Sequence, residues 1–192
     1  GVQTCALPIS IGAEDNFKGL VDLIKQVAYI YDEGDPSGVS FETVAIPDDL
    51  KDQAELYRES LIEAVSDFDD AVAAKYLEGE DISEDELRFA VRKATLSIKF
   101  VGVIPGSAFK NKGVQMLMDA VVNFLPSPLD LPPMKAYDSD ENELQVLPDD
   151  SKQVAGLAFK LMTDPYVGKL VFFRIYRGTL NKGVQLYNPR TR

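Results

Sequence analysis

The run KFVGVIPGSAFKNKGVQMLMDAVVNFL, residues 99–125, decides the fold class. Its opening, KFVGVIPG, is a short apolar run with β-branched residues that closes on Pro-Gly, and it reads as a buried strand. Its end, VQMLMDAVVNFL, repeats apolar side chains at three- and four-residue steps and reads as a helix. Between them PGSAFKNKGVQ, residues 105–115, is a strand-to-helix corner made of small residues. In an open α/β sheet, ligands bind at the carboxyl ends of strands, where the next helix begins and exposes backbone N–H groups. Gly106, Ser107 and Ala108 are small enough to let a flat base approach that backbone. Taken alone such a corner usually just connects two elements. No phosphate loop of the form GxxxxGK[ST] occurs anywhere in the chain, so the corner needs another explanation.

With 192 residues, 45% apolar and 27% charged, the chain can bury a real core as one large domain or two small ones. No apolar run approaches the roughly 20 residues that cross a bilayer. The N-terminus has no basic segment followed by an apolar one, so no secretory signal is read there and a soluble, cytoplasmic protein is expected. The single cysteine, Cys5, excludes an intramolecular disulfide. With no histidine and no cysteine pair, a thiolate or imidazole zinc site is excluded as well, and any metal would need carboxylates. No metal-ligating and no catalytic residue is assigned.

The net charge of −11 hides an asymmetry. From Lys152 onward eight Lys or Arg face only Asp164, a net of +7, which leaves −18 on the first 151 residues. Between Tyr31 and Ala90 nineteen Asp or Glu stand against four Lys or Arg. Such opposite surfaces suit different partners, the acidic one repelling phosphate backbones and the basic one attracting them, although each also fits an ordinary solvated surface.

Along the chain, GLVDLIKQVAYIYDEG reads as one strand or two ending at the turn cluster DEGDPSG, and VSFETVAIP as another strand. Pro47 is placed to open a helix, with Asp48 and Asp49 at its positive end. Leu50, Ala54, Tyr57, Leu61 and Ala64 or Val65 form its apolar stripe, and Asp52, Glu55, Glu59 and Glu63 an acidic one. DFDDAVAAKYL is a second helix ending at Gly79, and a third begins with a capping box, Ser83 and Glu86. PSPLDLPP, with four prolines in eight residues, is an extended linker. YDSDENELQVLPDD, with six acids and no base, is expected to be an exposed loop. GLAFKLMT, KLVFFRIYRG and VQLYNP are β-rich runs divided by DPYVG and NKG, the opening strands of an antiparallel barrel too short to close. NKGVQ occurs twice, at residues 111–115 and 181–185, but nothing around the copies matches, and neither supplies the NKxD that reads guanine because the fourth residue is Val.

The run GSAFKNKGVQMLMDAVVNFLPSPLD resembles the fifth GTPase motif of bacterial elongation factor G and its following helix. IGAEDNFKGLVDLI, DFDDAVAAKYLEGEDISEDELRFAVRKATL and GLAFKLMTDPYVGKLVFFRIYRGTLNKG resemble other parts of the same factor, in the same order, so that the likeness covers nearly everything from Ile11 onward. Ribosomal protection proteins and related translational GTPases share this architecture; the NKGVQ and LPSPLD wording favours elongation factor G.

The resemblance implies an α/β plus β fold. Residues 11–105 would be the G′ insert of a P-loop GTPase domain and 106–126 the end of the GTPase core. A linker at 127–152 and the first strands of the second domain, a truncated translation-factor β-barrel, at 153–192 would follow. It implies an enzyme that hydrolyses GTP with Mg²⁺ on the ribosome to drive translocation of tRNA and mRNA. Ser107 and Ala108 would be the Ser-Ala of the guanine loop, a backbone N–H facing the base's carbonyl oxygen, with Phe109 and Lys110 completing it and residues 111–113 turning into the helix. In the family the phosphate loop, both switches, the catalytic histidine and NKxD all precede this segment. The chain is therefore expected to be an internal fragment, inactive and without a bound cofactor by itself.

The likeness fails before Ile11. GVQTCALPIS back-translates in frame into a ligation adapter used in short-read sequencing, so residues 1–10 are expected to be a sequencing artefact and Cys5 not biological. The competing reading is a natural strand, since the family has a similar LPIG there.

Partners implied by the resemblance are the ribosome, its stalk protein through the acidic G′ face (Asp52, Glu55, Glu59, Glu63), and small-subunit ribosomal RNA. The last would meet the basic strands carrying Lys160, Lys169, Arg174, Arg177, Lys182, Arg190 and Arg192. A monomer without membrane attachment is expected. The alternative is a stand-alone acidic protein-binding module derived from G′, without enzymatic activity.

Overall fold

The computed structural model describes residues 2–35, 37–138 and 140–189. They form two compact units, one up to Leu125 and the other from Pro126. In chain order the first unit holds strands β1 (Gln3–Ala6), β2 (Pro8–Ile11), β3 (Gly19–Asp22), β4 (Val27–Tyr31) and β5 (Phe41–Val44). Helices α1 (Lys51–Ser66), α2 (Asp70–Glu78) and α3 (Glu84–Leu96) follow, then strand β6 (Phe100–Val103) and helix α4 (Val114–Phe124).

β2 to β5 make a four-stranded antiparallel sheet in sequence order, while β1 pairs in parallel with β6, Gln3 opposite Phe100 and Ala6 opposite Val103. The run around residues 19–31 is two strands because Asp22 turns the chain: its Oδ1 accepts from the N–H groups of Ile24 and Lys25 at 2.9 and 3.0 Å. Residues 3–6 and 8–11 are strands of the two sheets, and Leu7 and Ile9 are buried in the same core as the helices.

That core joins Val21 and Ala28 of the sheet and Leu23 of the β3–β4 turn to Leu61 and Val65 of α1, Val72 of α2, Leu87 and Val91 of α3, and Phe100 of β6. Each fully buried leucine contributes about 1.5–3 kcal/mol by leaving water. The helix ends follow their sequence signals. Asp69 Oδ1 caps α2 by accepting from Ala71 and Val72, Gly79 ends it in the left-handed region, and the Ser83–Glu86 capping box opens α3.

α1 departs from its expected form twice. A single 3-10 turn (Asp48–Leu50) intervenes between Pro47 and the helix. Tyr57 is exposed, and the side chain that turns inward one position later is Arg58. Its guanidinium donates to the carbonyl oxygens of Leu23 (2.6 Å), Ile24 (3.0 Å) and Ile82 (3.0 Å), so a cation occupies a position that Ala54 and Leu61 make apolar on either side.

The second unit holds β7 (Met134–Tyr137), β8 (Glu143–Val146), β9 (Ala155–Asp164) and β10 (Gly168–Arg177), paired as two antiparallel hairpins. The acidic run at 137–150, expected to be a loop, contains β8 and the turn of the first hairpin. Asp138 makes this possible, accepting from the N–H groups of Asp140 and Asn142 at 2.9 Å, while Lys135 and Glu143 pair at 2.9 Å between the two strands. Of the acids that argued for an exposed loop, Asp138 is a turn acceptor and Glu143 a cross-strand partner. VQLYNP, expected to be a strand, forms none among its described residues. Among the described residues this unit therefore shows two hairpins and no closed barrel.

Candidate functional site

The strand-to-helix corner is a closed loop. Ser107 and Lys112 exchange backbone hydrogen bonds, Ser107 N–H to the Lys112 carbonyl at 2.8 Å and Lys112 N–H to the Ser107 carbonyl at 3.0 Å. Two glycines allow this neck. A Cβ on Gly106 would stand 3.0 Å from the Lys112 carbonyl oxygen, and one on Gly113 would stand 3.1 Å from the Gly106 Cα. Gly113 also has a φ of +88°, which an L side chain rarely adopts.

Above the neck, Ser107 Oγ accepts from Lys110 N–H at 3.3 Å and Ala108's carbonyl from Asn111 N–H at 3.3 Å, with Asn111 in the left-handed region at φ 54°. Among the described residues the N–H groups of Ala108 and Phe109 meet no acceptor within the chain, and Phe109 is 99% exposed at the tip. The four residues expected to form a guanine loop are thus contiguous on one turn, with two backbone donors directed to no protein atom. Such donors can take a carbonyl oxygen from a ligand. Lys110 behaves otherwise: its Nζ donates to the Asp15 carbonyl at 3.2 Å and lies 3.8 Å from that residue's carboxylate.

Three further residues steady the loop from behind. Tyr31, buried on β4, accepts through its hydroxyl from Gly113 N–H at 2.8 Å. Burial pushes its phenol pKa up, with the Gly113 hydrogen bond pulling the other way. Gln115 donates from Nε2 to the Gly38 carbonyl at 2.9 Å. Lys112, buried at 7% exposure, reaches the Phe17 carbonyl at 3.4 Å. Only the mixed character of NKGVQ, polar residues at the mouth of an apolar helix, could have marked Lys112 and Gln115; nothing in the sequence marks Tyr31.

The acidic stripe is also in place. Asp52, Glu55, Glu59 and Glu63 are exposed along α1, and among the described residues none of the four makes an ion pair. Glu63 lies close enough to Cys5 to add to desolvation in pushing the thiol pKa up. On the basic strands, Arg174 stands 5.4 Å from the Phe159 ring and Lys160 5.7 Å from that of Phe172, while Arg177 Nε donates to the Gln153 carbonyl at 3.1 Å. Lys169 is on β10 and Lys182 in the second NKG turn; Arg190 and Arg192 lie outside the described residues. A separate cleft of about 550 Å³ opens near Tyr29, Phe41, Met116 and Phe124. Its Arg88 is already engaged, with Glu84 and with Asp85 at 3.0 Å. Among the described residues no group of three or more acidic or thiol side chains could hold a metal ion, and no helix is long and apolar enough to cross a membrane.

No family model matches the chain. Among solved structures it is similar to the crystal structure of ttk003000868 from Thermus thermophilus, with a TM-score of 0.67 and 22% sequence identity. The match covers 91% of this chain and 23% of that one. At that identity the likeness concerns the fold. The chain spans less than a quarter of the neighbour's length.

Proposed function

We propose that this chain is a segment of elongation factor G, the GTPase that drives ribosomal translocation of tRNA and mRNA, and that residues 107–110 are its guanine-reading loop. The observation that carries this reading is the closed turn at residues 107–112, which presents the N–H of Ala108 without an acceptor of its own. A purine carbonyl oxygen is the complement of that donor. Fold similarity over 91% of the chain to part of a much longer protein agrees with a segment of a larger factor.

In this reading the first unit is the G′ insert with the end of the GTPase core, and the second opens the β-barrel domain. The parent enzyme, cytoplasmic and monomeric, takes GTP or GDP with Mg²⁺. The phosphate and metal grip come from sequence before this segment, so the residues here contribute base recognition and no phosphoryl chemistry. The acidic stripe on α1 meets the ribosomal stalk protein, and the basic strands of the second unit meet small-subunit ribosomal RNA.

The test is the encoding gene and its product. A phosphate loop and an NKxD in the same frame upstream, together with ribosome-dependent GTP hydrolysis by the full-length protein, support the reading. A native start codon near Ile11 would instead leave an acidic binding module without enzymatic activity. The same sequencing addresses residues 1–10: an uninterrupted decapeptide in a complete gene makes them natural, and a junction within them makes them adapter.

A further inference from the structure

The loop at residues 107–112 is tied down from outside, by residues 15–38. Lys110 and Lys112 reach the carbonyl oxygens of Asp15 and Phe17. Gln115, in the first turn of α4, holds the Gly38 carbonyl at 2.9 Å. Tyr31 lies between these anchors: its hydroxyl accepts from Gly113 N–H at 2.8 Å, and its proton has Gln115 Oε1 at 3.3 Å or Met116 Sδ at 3.2 Å to go to. Gly113 is the residue that closes the loop onto α4, and both it and Tyr31 are buried, so water does not replace the phenol if it is removed.

From this geometry we infer that Tyr31 is a positioning residue for base recognition, which, through Gly113 and Gln115, sets where the Ala108 N–H stands. The inference rests on the reading of residues 107–110 as a guanine loop. A hydrogen bond weakens over a few tenths of an ångström and steeply with angle, so a loop that must meet one carbonyl oxygen needs its neck fixed. The strand and helix it joins fix it along the chain; the hydroxyl of Tyr31 fixes it across.

The experiment uses the full-length protein encoded by the gene, with GDP release followed by stopped-flow fluorescence of a labelled GDP and affinities measured for GDP and 6-thio-GDP. The thio analogue replaces the carbonyl oxygen with a poorer acceptor, so the preference for GDP reports the contact at that atom. Tyr31→Phe is expected to release GDP about five- to tenfold faster, the scale of one buried hydrogen bond lost. It should also shrink the preference for GDP over 6-thio-GDP. Gln115→Leu should act in the same direction, and it carries the test alone if Tyr31→Phe does not fold. Tyr29→Phe, on the same strand with its hydroxyl toward Asp22, should change neither quantity. Wild-type release and wild-type preference in the folded variants would overturn the positioning role while leaving the guanine loop standing. A wild-type protein that binds no GDP would remove the loop's function and this inference together.

Discussion

Arg58 shows how far a single side chain can depart from the pattern it sits in. Helical spacing makes position 58 part of the stripe that runs from Ala54 to Leu61, and composition makes α1 an acidic surface helix. The guanidinium satisfies three carbonyl oxygens, two on the β3–β4 turn and one just before α3, and desolvation lowers its pKa. Arg58→Ala leaves those carbonyls without their donor and is expected to destabilise the first unit by about 1–3 kcal/mol in denaturant titration. Arg58→Lys should recover part of that, because one ammonium cannot reproduce the planar fork. Asp35 is the opposite case, legible from DEGDPSG as turn chemistry. Its carboxylate accepts from the Ser37 hydroxyl and the N–H groups of Ser37, Val39 and Ser40, and the hydrogen bonds from Ser37 and Ser40 hold its pKa far below the usual carboxylate range. Tyr31 is not legible at all, since the residue it serves is 82 positions away in the chain.

Among the elements, α3 is where sequence and structure agree most closely and where a pH effect can be assigned. Ser83 Oγ accepts from Glu86 N–H while the Glu86 carboxylate accepts from Ser83 N–H and its hydroxyl. Lys75 of α2 adds a contact to Glu86 at 2.8 Å. The hydrogen bond from Lys75, then those from Ser83, pull the Glu86 pKa from 4.5 down to about 2. A carboxylate lowered in the folded state stabilises it above its ordinary pKa and loses that contribution as pH falls through the folded value. Helical signal and melting temperature should therefore decline between about pH 4.5 and pH 2, and Glu86→Gln should flatten that part of the profile. Ser83→Ala removes the reciprocal cap and should cost about 1 kcal/mol at neutral pH. Capping is local, three residues apart, so it can be read from sequence. The β7–β8 hairpin escapes a sequence reading for the complementary reason: six acids in fourteen residues suggest a solvated loop, yet Asp138 uses its charge to close the turn and Glu143 pairs with Lys135.

For the whole molecule, charge and reach decide what the chain can do alone. Calorimetry on the isolated 192-residue chain is expected to detect no GDP binding, because base contacts without phosphate and Mg²⁺ contacts supply only a fraction of the binding energy; micromolar or tighter binding would refute the proposed division of labour. If α1's exposed acids steer a basic partner, its association rate should fall steeply between low and physiological salt, and replacing Asp52, Glu55, Glu59 and Glu63 by neutral isosteres should remove that dependence. Sequence alone determined the existence of the helices, the Gly79 stop of α2 and the Ser83–Glu86 cap of α3, the strand character of 155–177 and the small-residue corner. Each of these depends on residues within a few positions of one another, through periodicity, capping or turn chemistry. Tertiary structure alone decided that Gln3 pairs with Phe100, that Arg58 lies inward, and that Tyr31, Gln115 and Lys112 tie the corner to residues 15–38. Those outcomes join distant parts of the chain, where what selects a partner is an unsatisfied buried donor or acceptor, and no local pattern records that.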